Sequence, residues 1–237
     1  MSIKGKLYLI PCPIEENAIH TIPEYVVKLI HSLDLYLVEK AKTARHFIKR
    51  TQPPFAINTL EILELNKHEE TSATADFIKL IESGRNGGLI SEAGCPGVAD
   101  PGAKAVLKAH EAGIEVVPLI GPSSILLALM GSGMNGQQFT FHGYLSPKAP
   151  ELARDLKRLE SQSGKLNQTQ IFIEAPYRNR NVVEQVLKGL SNETLFCIAV
   201  DITGPGEFIQ TKKVKDWKNS VIPDLHKRPA LFLVYKG

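Results

Sequence analysis

The sequence predicts an α/β protein of two α/β domains. Through the first half, short apolar runs alternate with segments of helical periodicity, which implies a mostly parallel sheet with helices on both faces. Past Gly121-Pro122-Ser123 the strand candidates follow one another with fewer helices between them, so the second sheet is expected to be mixed. The 237 residues are 43% hydrophobic and 22% charged, enough for one large core or two smaller ones, which excludes a mainly disordered chain. The boundary is placed to give domains 1–119 and 120–237.

Leu7–Ile10 is a buried strand stopped by Pro11-Cys12-Pro13. Pro23–Ser32 has Tyr25, Val26, Leu29 and Ile30 near helical spacing, Leu35–Val38 is a second strand, and Thr43–Lys49 a short basic helix. Leu60–Leu65 is a weaker strand. Ser72–Ser83 reads as a helix with a Ser cap, Gly87–Ser91 as a strand, Pro101–Glu111 as a helix opened by proline, and Glu115–Leu119 as a strand. In the second half, helices are expected over Ser123–Met130, Glu151–Glu160 and Asn179–Leu187, and near Val214–Trp217. Strands are expected over Phe139–Gly143, Gln170–Ile173, Leu195–Asp201, Glu207–Gln210 and Ala230–Val234.

Charge narrows the partners. The 28 Lys+Arg against 25 Asp+Glu leave a net charge of +3, too small for a protein-wide nucleic-acid footprint, though a local patch remains open. Lys40, Lys42, Arg45, His46, Lys49 and Arg50 form such a patch, readable equally as a phosphate-binding face or a solvated helix. No run approaches the roughly 20 apolar residues of a membrane span, and Met1–Leu9 lacks a signal-peptide core. Cys12, Cys95 and Cys197 are odd in number and scattered, which points to a reducing cytoplasm, and no Cys/His spacing suggests a metal.

The chemistry is expected on Ser91-Glu92-Ala93-Gly94-Cys95-Pro96-Gly97-Val98-Ala99-Asp100-Pro101-Gly102, between a strand and a helix. In open α/β sheets, ligands sit beyond the carboxyl ends of strands. A loop bent by three glycines and two prolines exposes backbone N–H and C=O groups to a flat ligand, and function concentrates on such loops. Pro11-Cys12-Pro13 and Gly121-Pro122-Ser123-Ser124 occupy equivalent positions, where Ser123 taken alone reads as a helix cap. The P-loop pattern and G-x-S-x-G are missing, which leaves a P-loop and a nucleophile elbow unsupported.

Taken together, Gly5–Pro13, the Ser91–Gly102 loop, "GIEVVPLIGPSS" over Gly113–Ser124, Ser132-Gly133, "EAPYR" over Glu174–Arg178 and Pro229–Gly237 resemble the tetrapyrrole methylase superfamily. Within it they are most similar to the small-subunit rRNA 2'-O-methyltransferase I branch. The resemblance spans essentially the whole chain. It implies two α/β domains with S-adenosylmethionine (SAM) in the cleft between them, and a homodimer. Carried over, the cofactor pocket takes Pro11, then Gly94, Cys95, Pro96, Val98 and Ala99, then Ser123 and Ser124. The second domain adds Glu174, Ala175, Pro176, Ile202, Pro229 and Ala230.

The chain departs from that branch on the substrate side. Glu15-Glu16 replaces Gly-Asn after the first strand and reads as a solvated face. Glu39-Lys40-Ala41-Lys42 replaces an acidic pair followed by Thr-Arg, Glu92 replaces an Asp, and Ala175-Pro176-Tyr177-Arg178 replaces Ser-Pro-His-Arg. The function expected is metal-free methyl transfer from SAM, with 2'-O-methylation of ribosomal RNA in the small subunit as the leading reading. The alternatives are methylation of a small molecule such as a tetrapyrrole, or a SAM-binding protein that has lost catalysis. Glu39, Asp100, Arg178 and Asp201 are weak catalytic candidates; each also reads as structural, Asp100 as the cap of the helix that follows it.

Overall fold

A computed structural model describes residues 3–65 and 70–237. The chain forms two compact units that divide between Ser123 and Ser124.

The first unit holds β1 (Lys6–Ile10), α1 (Glu24–Ile30), β2 (Leu35–Val38), α2 (Ala41–Arg50), β3 (Glu61–Glu64), α3 (Glu70–Glu82), β4 (Gly87–Ile90), α4 (Ala103–Glu111) and β5 (Glu115–Pro118). The sheet order is β3-β2-β4-β1-β5, and every pair is parallel. Parallel neighbours need a crossover, and the intervening helices supply it. Side-chain alternation along β2 sorts the two cores. Leu35 and Leu37 join Phe77 and Ile81 of α3 and Ala105 of α4. Tyr36 and Val38 point the other way, to Val26 and Ile30 of α1 and Phe47 and Ile48 of α2. On the central strand, a Cβ at Gly88 would lie 2.6 Å from Ile10 and 2.9 Å from Tyr36. The space is filled instead by the Tyr36 ring, whose hydroxyl donates to the Ile30 carbonyl at 2.7 Å.

Two boundaries depart from the sequence expectations. Ser72 does not cap α3, because the helix is already formed at Glu70. Pro101 lies in a turn, and α4 starts at Ala103 after Gly102, whose φ of 122° sets the chain direction without any side-chain cap. Residues 66–69, including part of the linker between β3 and α3, lie outside the described residues.

The second unit holds α5 (Ser124–Ser132), β6 (Phe139–Tyr144), α6 (Ala149–Leu166), β7 (Thr169–Ile173), α7 (Asn179–Gly189), β8 (Leu195–Val200), β9 (Phe208–Lys213), α8 (Val214–Lys218) and β10 (Ala230–Tyr235). Its order is β6-β7-β10-β8-β9. β6 and β7 are parallel and the other pairs antiparallel, so the sheet is mixed as expected. α6 outruns the expected Glu160 by more than a turn. Ser161-Gln162-Ser163-Gly164 conceals the apolar period there: Ser163 takes the next core-facing position, fully buried, and its hydroxyl accepts the Lys236 N–H at 2.8 Å. Asn167 at φ 50° ends the helix in the left-handed conformation typical of a C-terminus.

The core of this unit is built on aromatic stacking. Phe232 on β10 lies between Phe172 (centroids 5.6 Å apart) and Phe196 (5.9 Å), and Trp217 Nε1–H donates to the Phe196 carbonyl at 2.8 Å. Among the described residues, no helix is long and apolar enough to cross a membrane. Phe232→Ala is expected to destabilise the second unit by about 3–5 kcal/mol, the usual cost of emptying a buried aromatic site. Urea denaturation followed through Trp217 fluorescence measures it.

Candidate functional site

A parallel sheet delivers all its strand ends to one side. In the first unit, Pro11-Cys12-Pro13 follows β1, Glu39-Lys40 follows β2, Ser91–Gly102 follows β4, and residues 119–123 follow β5. Three of these turns are tied together. Cys12 N–H donates to the Gly94 carbonyl at 2.8 Å, and Gly94 N–H returns the bond to Cys12 at 3.1 Å, an antiparallel bridge beyond a parallel strand pair. The Cys95 thiol lies 3.5 Å from the Pro122 carbonyl, to which it donates. A Cβ at Gly121 would sit 2.2 Å from the Pro11 ring, so only glycine permits that approach.

The β4–α4 loop reverses through four left-handed residues: Gly94 (φ 69°), Gly97 (76°), Ala99 (62°) and Gly102 (122°). Glycine takes these angles freely, whereas Ala99 holds its own at a cost of order 1 kcal/mol or more. Pro11, Gly94 and Pro96 are buried and Cys95 is half-buried, while Val98 and Ala99 are exposed. The structure therefore brings Pro11, Gly94 and Cys95 to the turn after β5 that ends at Ser123. It presents an apolar pair, Val98 and Ala99, on a backbone of unusual shape.

Three carboxylates gather at this loop, two of them, Glu92 and Asp100, its own. Glu39, just past β2, accepts the Glu92 backbone N–H; its Oε1 is buried with no hydrogen-bond partner among the described residues. Burial above all, and then the charges of Asp100 and Glu92, push the Glu39 carboxyl above its ordinary range. Asp100 is raised likewise, by burial and then by Glu92, against a hydrogen bond from Ser91. Asp100 is thus no helix cap: the cap position is Gly102, and its bond goes to Ser91. Glu92 is held by Lys40 and Thr43, each at 3.2 Å. Buried Cys12 lies in the same field, its thiol pushed far up by desolvation and then by Glu92 and Asp100. In the sequence, Glu39 and Asp100 stand as separate candidates and Glu92 only as a substitution. Their grouping follows from β2 and β4 being neighbours, which spacing along the chain does not reveal.

A cavity of about 700 Å³ opens beside the cluster. Cys12, Pro13 and Ile14 form one wall, α2 another, with Ser91 and Glu92 at the strand ends. α2 buries Ala41, Ala44, Phe47 and Ile48 and turns its basic residues outward. A Glu64 carboxylate receives the Ala41 N–H at its N-terminus, where negative charge is favourable. Glu16 accepts from His46 at 2.9 Å and Arg50 at 3.3 Å, and Glu15 accepts the Asn17 N–H at 2.8 Å, so both are engaged in local surface bonds.

The second unit gathers its candidates at one end of its own sheet. Glu174 to Pro176 leave β7, Asp201 and Ile202 leave β8, and Pro229 and Ala230 enter β10. Asp201 N–H donates to the Pro229 carbonyl at 3.0 Å, and Ile202 and Ala230 are buried. Ser124 stands apart, as the first residue of α5. Glu174 is buried, accepts the Ala175 N–H at 2.7 Å and pairs with Arg178 at 2.8 Å; Arg178 also donates to the Ser146 carbonyl at 3.1 Å. Asp201, at φ 46°, pairs with Arg228 Nε at 2.7 Å. The charges of Arg178 and Asp201 are therefore committed to holding loops. Among the described residues, no group of three or more His, Cys, Asp or Glu is placed to hold a metal ion.

The family model described as Tetrapyrrole (Corrin/Porphyrin) Methylases matches residues 21–217. The chain is 28% identical over 235 residues to ribosomal RNA small subunit methyltransferase I of Escherichia coli O157:H7, covering 99% of this chain and 78% of that protein. It is 31% identical over 204 residues to the protein of the same name from Vibrio cholerae, covering 86% and 67%. Among solved structures it is similar to uroporphyrin-III-C-methyltransferase from Thermus thermophilus, with TM-score 0.55, 18% identity and coverage of 99% and 93%. It is also similar to a cobalt precorrin-4 methyltransferase, with TM-score 0.60, 16% identity and coverage of 97% and 94%. At those identities the structures show the shared fold.

The raised carboxyls set a pH dependence. A carboxyl whose pKa is higher folded than unfolded binds its proton more tightly in the native state, so stability falls as pH rises through that window. Asp100→Asn, which cannot ionise, is expected to raise the melting temperature at neutral pH. The gain should shrink on acidification and vanish below the unfolded pKa of about 4. Thermal melts of both proteins across that range check it.

Proposed function

This chain belongs to the tetrapyrrole methylase family, and from that premise we propose that it is a SAM-dependent methyltransferase acting on ribosomal RNA of the small subunit. The observation that carries the reading is the convergence of the turns after β1, β4 and β5, bridged through Cys12, Gly94, Cys95 and Pro122. When bound, SAM supplies a methyl group already activated by a positively charged sulfur.

The residues present fit such a ligand. Val98 and Ala99 offer apolar surface, the left-handed loop offers backbone donors and acceptors, and Glu39, Glu92 and Asp100 suit a cation. We assign Pro11, Gly94, Cys95, Pro96, Val98, Ala99 and Ser123 to the cofactor. For the second unit we assign Ser124, Glu174, Ala175, Pro176, Ile202, Pro229 and Ala230. Alignment of donor and acceptor is the main task left to the protein, and orientation of this kind supplies up to about 7–11 kcal/mol. A hydroxyl acceptor must also lose a proton. Glu92 lines the cavity next to the loop and is the carboxylate of the cluster placed to receive it.

The proposal extends to a cytoplasmic homodimer. The scattered, unpaired cysteines suit a reducing compartment. Leu126 and Met130, one turn apart on α5, are 51% and 77% exposed and form an apolar stripe that a second copy would cover.

Calorimetric titration with SAM, and separately with S-adenosylhomocysteine, is expected to show saturable binding at one site per chain. Labelled SAM is then expected to transfer its methyl group to undermethylated small ribosomal subunits. Binding without transfer to RNA would redirect the search to a small acceptor such as a tetrapyrrole, or to a protein that only binds SAM; no heat with either ligand would remove the methyltransferase reading. Glu92→Gln is expected to slow transfer at saturating SAM by about 10²–10⁴, the usual contribution of a general base. An unchanged single-turnover rate would exclude Glu92 from that role.

A further inference from the structure

α2 divides its cations. His46 and Arg50 are held by Glu16, and Lys40 just before the helix by Glu92. Lys42, Arg45 and Lys49 have no acidic partner among the described residues, and all three are exposed at the cavity. Steps of three and four residues put them in one stripe along the helix. The stripe is about 10 Å long at 1.5 Å per residue, enough to meet more than one phosphate of a bound strand.

Below the stripe, the cavity changes character. Pro13, Ile14, Phe47 and Ile57 make its wall largely apolar, and Ser91 and Glu92 at the strand ends provide polar groups. At about 700 Å³ it has the size of a small-molecule site, ample for one nucleotide. A cationic rim over an apolar recess matches how proteins read unpaired RNA, with phosphates outside and a splayed base within. The rim cations accept phosphate and carboxylate alike, but an anionic group reaching the strand ends would meet Glu92, with Glu39 and Asp100 behind it. A nucleobase carries no charge to be repelled.

Resting on the ribosomal RNA reading above, we propose that this cavity receives a single unpaired nucleotide of the acceptor RNA, and that Lys42, Arg45 and Lys49 grip the flanking phosphates. The acceptor is then single-stranded at the point of reaction, and a base-paired strand is excluded from the recess.

The test uses the full chain without SAM and a short fluorescein-labelled RNA, single-stranded or annealed to its complement, read by anisotropy over a salt series. The single strand is expected to bind more tightly than the duplex. Replacing Lys42→Gln, Arg45→Gln and Lys49→Gln together should weaken binding about tenfold or more and lower the salt slope by about 2, at about 0.7 per lost phosphate contact. Ile57→Trp, which fills the recess, should erase the preference for the single strand and leave the salt slope in place; Ile14→Trp serves if that protein melts early.

Equal affinity for duplex and single strand, or a triple variant that binds like wild type, would overturn the proposal. So would uroporphyrin binding that Ile57→Trp abolishes while RNA binding stays unchanged. SAM calorimetry on the same proteins keeps the readouts apart: SAM binding unaltered in the triple variant localises its defect to RNA, whereas a wild type that binds RNA but not SAM fails the methyltransferase reading alone.

Discussion

Two backbone hydrogen bonds between Cys12 and Gly94 hold the first unit's strand ends in their working arrangement. β1 and β4 run side by side in parallel up to Ile10 and Ile90, and their chains would diverge beyond the sheet. Instead the chain after β4 turns back, and Gly94 pairs antiparallel with Cys12. The reversal places Gly94 at φ 69°, Cys95 against Pro122, and the exposed Val98–Ala99 pair at the loop tip. The Gly121–Pro11 approach locks the third turn onto the first. Backbone bonds of this kind hold their geometry whatever side chains surround them, which suits a site that grips its ligand largely through main chain.

Around that frame, charge is segregated within one unit. Glu39, Glu92 and Asp100 crowd behind the loop, and the basic face of α2 lies across the cavity. Burial, then the charges beside them, make Glu39 and Asp100 costly to ionise, so these two carboxyls destabilise the fold at neutral pH. Such a cost is expected where a protein must receive a cation or a proton. Lys40 joins the start of α2 to Glu92, and Glu16 ties His46 and Arg50 of α2 to the segment after β1.

Much of this was legible in the residues. The parallel sheet followed from strands that alternate with helices, and the mixed sheet from strands that do not. The Ser91–Gly102 loop stood out through its glycines and prolines. What sequence left hidden depended on strand order or on polar residues doing core work. Glu39 and Glu92 are 53 positions apart and meet because β2 pairs with β4. The last turns of α6 were missed because Ser163, not an aliphatic residue, fills the buried position. Asp100 looked like a cap because Asp before a helix usually is one; Gly102 intervenes and removes the geometry.

Hydrogen–deuterium exchange of the full chain, with and without S-adenosylhomocysteine, tests the central claim most directly. In the first unit, slowed exchange is expected in the three turns after β1, β4 and β5, at amides that include Gly94, Cys95, Val98, Ala99 and Ser123, which are assigned to the cofactor. Saturating ligand that leaves all three turns unchanged and protects amides elsewhere would contradict it.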